Sequence, residues 1–258
     1  MKYILILLFL LNAFNSQAID RYEEKIHVST YGDSLRYRLL TPERYSPSQK
    51  YPLVLFLHGA GERGSDNKKQ LTHGGQLFLN PVNREKYPSF VLFPQCPDES
   101  YWGYGSRPAT FSSEDMPDNK ELPSITRLLK ELLDSYLKDE RIDKSRIYVM
   151  GLSMGAMGTY DLVARYPEVF AAAVPICGVT KSERLVVAKD VAFRIFHGDA
   201  DNVVPVEGSR EAYKVLKTIG AHVEYIEFAG CNHGSWNPAF NYPDFMEWIF
   251  KQRKGRKN

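Results

Sequence analysis

The chain has 258 residues, with 33 lysines and arginines against 31 aspartates and glutamates, for a formal net charge of +2. That balance excludes a field strong enough to recruit nucleic acid or an anionic membrane by charge alone. An apolar fraction of 43%, with 13% aromatic residues, excludes a disordered chain.

Residues 1–18 have the pattern of a leader rather than of a fold. Lys2 gives a short positive start, residues 3–11 are an apolar run, and Ser16-Gln17-Ala18 puts small residues where a signal peptidase reads. The stretch is too short for a stable membrane span, and no cysteine lies near the cut for a lipid anchor. The expectation is a cleaved signal peptide and export to the periplasm or the medium, with no stable membrane anchor. Residues 19–258 then suit a single α/β domain with one core. The basic tail, Lys251 to Asn258, reads as a solvated terminus.

Two alternating runs, 26–30 and 35–40, flank Tyr31-Gly32-Asp33 and predict an antiparallel edge hairpin. After residue 50, apolar runs alternate with helical patterns. Strands are predicted at 53–57, 90–93, 147–150, 172–175, 193–196 and 223–228. Helices are predicted at 122–138, 156–166, 206–219 and 242–252. The near-continuous apolar character of the later runs suits parallel strands buried on both faces. The fold class is therefore α/β, a mostly parallel eight-stranded sheet with helices on both faces. Residues 61–87 look irregular and polar. A second long loop, 94–118, carries Tyr101, Trp102, Tyr104 and Phe111. Those aromatics have two readings, the wall of a substrate pocket or a local mini-core; Trp102 is taken as substrate-binding. Gln95, just past a strand end, is placed at the cleft.

Gly151-Leu152-Ser153-Met154-Gly155 lies between the apolar run 147–150 and a predicted helix. A Gly-x-Ser-x-Gly sequence in that strand–turn–helix setting is a nucleophile elbow, with glycines where side chains would meet backbone. A serine hydroxyl needs a base to take its proton. Open α/β sheets bind ligands beyond the carboxyl ends of their strands, and the other reactive residues fall there too. His58-Gly59-Ala60-Gly61 follows 53–57, Asp199 and Asp201 follow 193–196, and His233 follows 223–228. His233 sits on a glycine-rich loop, whereas His27 and His222 start strands, His73 lies in a loop, and His58 and His197 suit bracing of turns. The order Ser, Asp, His is that of the α/β-hydrolases. His233 is the candidate base and Ser153 the nucleophile. Met154 N–H and Ala60 N–H are the candidate oxyanion donors, with Gly61 a second choice to Ala60. For the acid, Asp199 suits capping of the His197-Gly198 turn, and Asp201 lies further out.

Cys96, Cys177 and Cys231 are an odd number of thiols. Each follows a run in a strand that neighbours neither of the others, so free thiols are expected, with Cys177–Cys231 the one open pairing. None of the six histidines falls at ligand spacing with another ligand. No metal and no cofactor are expected.

His197-Gly-Asp-Ala-Asp201-Asn-Val-Val-Pro205 resembles the His-Gly-x-x-Asp-x-x-Val-Pro signature of α/β-hydrolase serine esterases and related peptidases. The resemblance assigns the acid to Asp201. Leu57-His-Gly-Ala-Gly-Glu-Arg-Gly64, Phe93-Pro-Gln-Cys-Pro97 with Trp102, Pro175-Ile-Cys-Gly178 and His233-Gly-Ser-Trp236 resemble a narrower group. These are secreted carboxylesterases like carbohydrate esterase family 1, near the feruloyl and acetylxylan esterases. The likeness runs from about residue 22 to 250. It implies a Ser153–His233–Asp201 triad, an acyl-enzyme, and acetyl or feruloyl esters of plant-type glycans, or short-chain acyl esters, as substrates. Trp236, three residues past the base, is expected to line the substrate pocket, its alternative being a buried cover for the histidine loop. The stretch 180–190 is short, so no large lid domain is expected. The rival readings are a serine peptidase of the prolyl-oligopeptidase type and a non-catalytic glycan-binding module. Oligomeric state is left open.

Overall fold

The computed structural model describes residues 21–255, so the expected leader and the last three residues of the basic tail lie outside it. Among the described residues eight strands form one sheet: β1 (Glu23–Val28), β2 (Ser34–Leu40), β3 (Tyr51–Leu57), β4 (Phe90–Pro94), β5 (Ile142–Leu152), β6 (Ala172–Ile176), β7 (Ala192–Gly198) and β8 (Val223–Phe228). Their order is β1-β2-β4-β3-β5-β6-β7-β8. The β1–β2 and β2–β4 pairs are antiparallel and all later pairs are parallel.

Every residue of β3, β4, β6 and β7 is buried. Residues alternate across a strand, so Leu53, Leu55 and Leu57 feed one core layer and Val54 and Phe56 the other. The first layer is closed by α3 (Ser124–Leu137), α4 (Met154–Arg165) and α5 (Glu207–Thr218). Leu128, Leu129, Leu132 and Leu133 of α3 are buried there, each side chain contributing about 1.5–3 kcal/mol. The second layer is closed by α1 (Gly75–Leu79), α6 (Trp236–Phe240) and α7 (Phe245–Lys251).

The structure departs from the sequence reading in three places. β1 spans 23–28 rather than 26–30, because pairing runs from Glu23 opposite Leu39 to Val28 opposite Ser34. The turn needs residues 29–33, closed by Ser29 N–H donating to Asp33 O. An edge strand can carry the charged Glu23-Glu24-Lys25 run, which alternation alone places outside the strand. Residues 61–87 are more ordered than their polarity suggests. They hold α1 and α2 (Pro81–Lys86), and Asn80 caps α2 by accepting from Val82 and Asn83 N–H, with Pro81 at the first helical position. The last helix, predicted at 242–252, is α7 at 245–251, and the short α6 at 236–240, absent from the sequence reading, precedes it. Between β6 and β7 stands only a single short 3₁₀ helix, Ser182–Val187, so no lid domain arises there.

Candidate active site

Ser153 takes φ 53° and ψ −117°, a strained backbone for a residue with a side chain. Its N–H donates to Ile176 O of the neighbouring strand at 2.9 Å. Gly155 is required on the far side of the turn: a Cβ there would run into the Leu57 carbonyl. α4 begins at Met154, so the positive end of a twelve-residue helix faces Ser153.

His233 and Asp201 come from the loops after β8 and β7, which are laced together. Gly230 N–H donates to Asp199 Oδ1 at 2.6 Å, Ala200 N–H to Cys231 O at 3.1 Å, and Asn202 N–H to Asn232 Oδ1 at 3.1 Å. Gly198 permits this approach, since a Cβ at 198 would strike the Cys231 carbonyl. The lacing sets His233 Nδ1–H on Asp201 Oδ2 at 2.7 Å, while Ser153 Oγ–H reaches His233 Nε2 at 2.9 Å. Ser153, His233 and Asp201 thus form one hydrogen-bonded chain. Asp199 is exposed, and its carboxylate accepts from Gly230 N–H on the loop that carries His233.

Asp201 has a fully shielded carboxylate. Burial pushes its pKa up, but His197, His233 and the N–H groups of Val204 and Val203 outweigh that and hold it well below the usual carboxylate range. His197 Nε2–H is shared between Val204 O at 3.0 Å and Asp201 Oδ2 at 3.2 Å, so His197 braces the acid.

Ala60 N–H opens a short 3₁₀ helix, Ala60–Glu62, directly after β3. Among the described residues, neither Ala60 N–H nor Met154 N–H has an acceptor. His58 braces this loop. Cys96 N–H donates to His58 Nε2 at 2.9 Å, so Nδ1 carries the proton and donates to Gly59 O at 2.7 Å. Burial holds the ring neutral and brings its pKa down to about 4. Arg63 donates to Ala60 O and to the carbonyls of Asp98 and Ser100, tying in the next loop.

Two expected substrate contacts are corrected. Trp102 is wholly buried, its Cβ lying 2.7 Å from where a Cβ on Gly158 would stand, and it packs in the first core layer with Tyr101. The mini-core reading therefore holds for it. Gln95 is 1% exposed. It accepts from Asn67 N–H at 2.6 Å and donates to Asp66 Oδ1 at 2.9 Å and Glu62 O at 3.2 Å, so it fastens the 62–67 loop. Trp236 is half-buried and stands edge-on to His233, with centroids 5.6 Å apart.

Two residues at the site escaped the sequence reading. His73 packs on Trp236 at 5.0 Å and sets Nε2 3.7 Å from Glu62 Oε1. Cys177 is buried, has φ 45°, and offers a ligand atom with Asp201 and His233, all within 4.8 Å of one another. Their partners are far away in the chain, so spacing gives no signal. All three thiols are free.

Residues 45–244 match the phospholipase/carboxylesterase family model. A probable carboxylesterase of Oryza sativa subsp. japonica is 28% identical over 77% of this chain and 87% of its own. A probable acetylxylan esterase A of Aspergillus fumigatus is 34% identical over 37% of this chain and 24% of its own. The crystal structure of a thermostable esterase superposes with a TM-score of 0.82 at 36% identity, covering 92% of this chain but only 64% of that one. An acylaminoacyl peptidase of Pyrococcus horikoshii, at 16% identity and a TM-score of 0.65, shares the fold. The chain belongs to the phospholipase/carboxylesterase family, and thus to the α/β-hydrolase serine ester hydrolases.

Proposed function

We propose that the chain is an exported carboxylesterase that removes acetyl or feruloyl groups from plant-type polysaccharide, or cleaves short-chain acyl esters, through Ser153, His233 and Asp201. The carrying observation is the hydrogen-bonded chain of those three side chains beside two N–H groups without acceptors. In this reading His233 takes the Ser153 proton as Oγ attacks the ester carbonyl. Ala60 and Met154 N–H hold the oxyanion. His233 then protonates the departing alcohol and activates water against the acyl-enzyme. Asp201 keeps the proton on Nδ1, so that Nε2 faces the serine, and it stabilises the imidazolium.

The substrate class draws support from relatives named acetylxylan esterase and feruloyl esterase and from Trp236, whose flat ring beside the base suits a sugar face or an aryl acyl group. Export rests on the pattern of residues 1–18; no helix among the described residues is long and apolar enough to cross a membrane. N-terminal sequencing of protein recovered outside the cell should begin near residue 19.

The decisive test is a panel of p-nitrophenyl acetate, longer acyl esters, methyl ferulate, acetylated xylan and peptide amides. Esters should turn over and amides hardly at all. Ser153→Ala should lower ester turnover by roughly 10⁴–10⁶-fold while remaining folded. Amide kcat/KM equal to that of the esters would make the chain a peptidase. Inertness on the whole panel with tight glycan binding would make it a binding module.

A further inference from the structure

Cys177 has no part in ester hydrolysis as described above, yet it lies against the acid and the base. It follows β6, and Asp201 and His233 follow β7 and β8, so three strand ends converge where no local sequence spacing shows it. One ligand atom from each residue falls within 4.8 Å of the other two. A tetrahedral ion with bonds of about 2.0–2.3 Å needs its ligands somewhat over 3 Å apart, so the wider gaps must close a little and the 2.7 Å contact between His233 Nδ1 and Asp201 Oδ2 must open. The donor set is one sulfur, one imidazole nitrogen and one carboxylate oxygen, which suits a borderline or soft cation and not magnesium or calcium. A second observation marks the same spot. The Ser235 hydroxyl is wholly buried, and it interacts with the Cys177 thiol. It is available to a thiolate or to a ligand on it.

We propose that Cys177, Asp201 and His233 form an inhibitory site for a thiophilic divalent cation such as Zn²⁺ or Cd²⁺. Binding releases the Cys177 thiol proton to solvent, and the thiolate takes one coordination position. The imidazole stays neutral. Coordination at Nδ1 moves its proton to Nε2, which then points a hydrogen at Ser153; coordination at Nε2 occupies the lone pair directly. Either way His233 loses the means to accept the serine proton. The inhibitory effect rests on the triad reading given above, but the binding does not.

The test titrates the purified full chain with Zn²⁺ and Cd²⁺, with Mg²⁺ as the control. p-Nitrophenyl acetate hydrolysis is followed alongside the ultraviolet sulfur-to-cadmium charge-transfer absorption. Expected are one Cd²⁺ per chain with that absorption, loss of activity over the same titration, recovery with EDTA, and no effect of Mg²⁺. Cys177→Ala and Cys177→Ser, each compared with its own metal-free rate, should need about tenfold or more cation for half-inhibition and lose the absorption at the first equivalent. Equal inhibition of wild type and a folded Cys177 variant overturns the site, as does activity that persists when one Cd²⁺ is bound through sulfur. Absence of sulfur-bound Cd²⁺ overturns it whatever the esterase assay shows. A band with no esterase activity to inhibit would instead fault the triad reading alone.

Discussion

The two halves of the sheet's carboxyl edge are built differently. After β3, β4 and β5 the chain is packed shut: His58, Gln95 and Trp102 are each 1% exposed or less. After β7 and β8 it is half open, with the His233 side chain 20% exposed, Trp236 half-buried and Asp199 exposed. The closed half holds strained backbone in place, since both the Ser153 turn and the Ala60 loop need walls. In the proposed reaction the open half carries the group that gains and loses a proton and lets water and alcohol pass. The same residue types, an indole and a loop carboxamide or carboxylate, serve as struts in one half and stand at the opening in the other.

The largest test of this contrast is the pair of aspartates. Asp201→Asn should cut turnover roughly 10³–10⁴-fold by disturbing the His233 tautomer, with little change in thermal midpoint. Asp199→Asn should leave turnover within about threefold and cost about 1 kcal/mol or less, because an amide oxygen still accepts Gly230 N–H. A reversed pattern of kcat would exchange their roles.

The two tryptophans come next. Trp102→Ala should cost roughly 3–5 kcal/mol of stability, as large buried rings do, while the folded fraction keeps its KM. Trp236→Ala should cost far less stability and raise KM for methyl ferulate more than for p-nitrophenyl acetate. Urea midpoints and KM values on both esters decide it. If Trp102→Ala alters KM selectively at unchanged stability, the loop belongs to the pocket after all.

The smallest effect is one of pH. His58 is held neutral in the fold at a pKa of about 4, against an ordinary value of 6.5. Between those values the unfolded chain binds a proton that the folded chain refuses. Stability from this residue is therefore complete above pH 6.5 and is lost as pH falls towards 4, by up to about 3 kcal/mol. Urea unfolding at pH 7 and pH 4.5 should show a shallower pH dependence for His58→Gln than for wild type. Identical slopes would mean that the ring titrates freely.

What the sequence discloses follows from range. Ser153 was legible because its strand, glycines and helix are contiguous, and His233 because a glycine-rich loop after the last strand has few other uses. The parallel strands were legible because burial on both faces leaves unbroken apolar runs. The fate of Trp102 was not: whether a loop indole turns inward depends on Gly158, more than fifty residues later. Gln95 was misplaced for the same reason, since its partners Asn67, Asp66 and Glu62 lie on a different loop. Cys177 and His73 gain their neighbours only when separate strand ends meet. The residues alone also left Asp199 and Asp201 open; the lacing of two loops puts Asp201 on the ring nitrogen.

The glycines at 155 and 198 face backbone carbonyls, of Leu57 and Cys231, where even a methyl group has no room. For laboratory evolution this divides the site into two alphabets. Positions 155 and 198 admit one letter, and libraries that randomise them spend nearly every clone on chains that cannot close the sheet edge. Positions 203 and 236, on the open half, and 73, which packs on Trp236, can be varied together, because their side chains touch other side chains or solvent instead of fixed main chain. Altered ester selectivity should be sought there first, with the glycines left untouched.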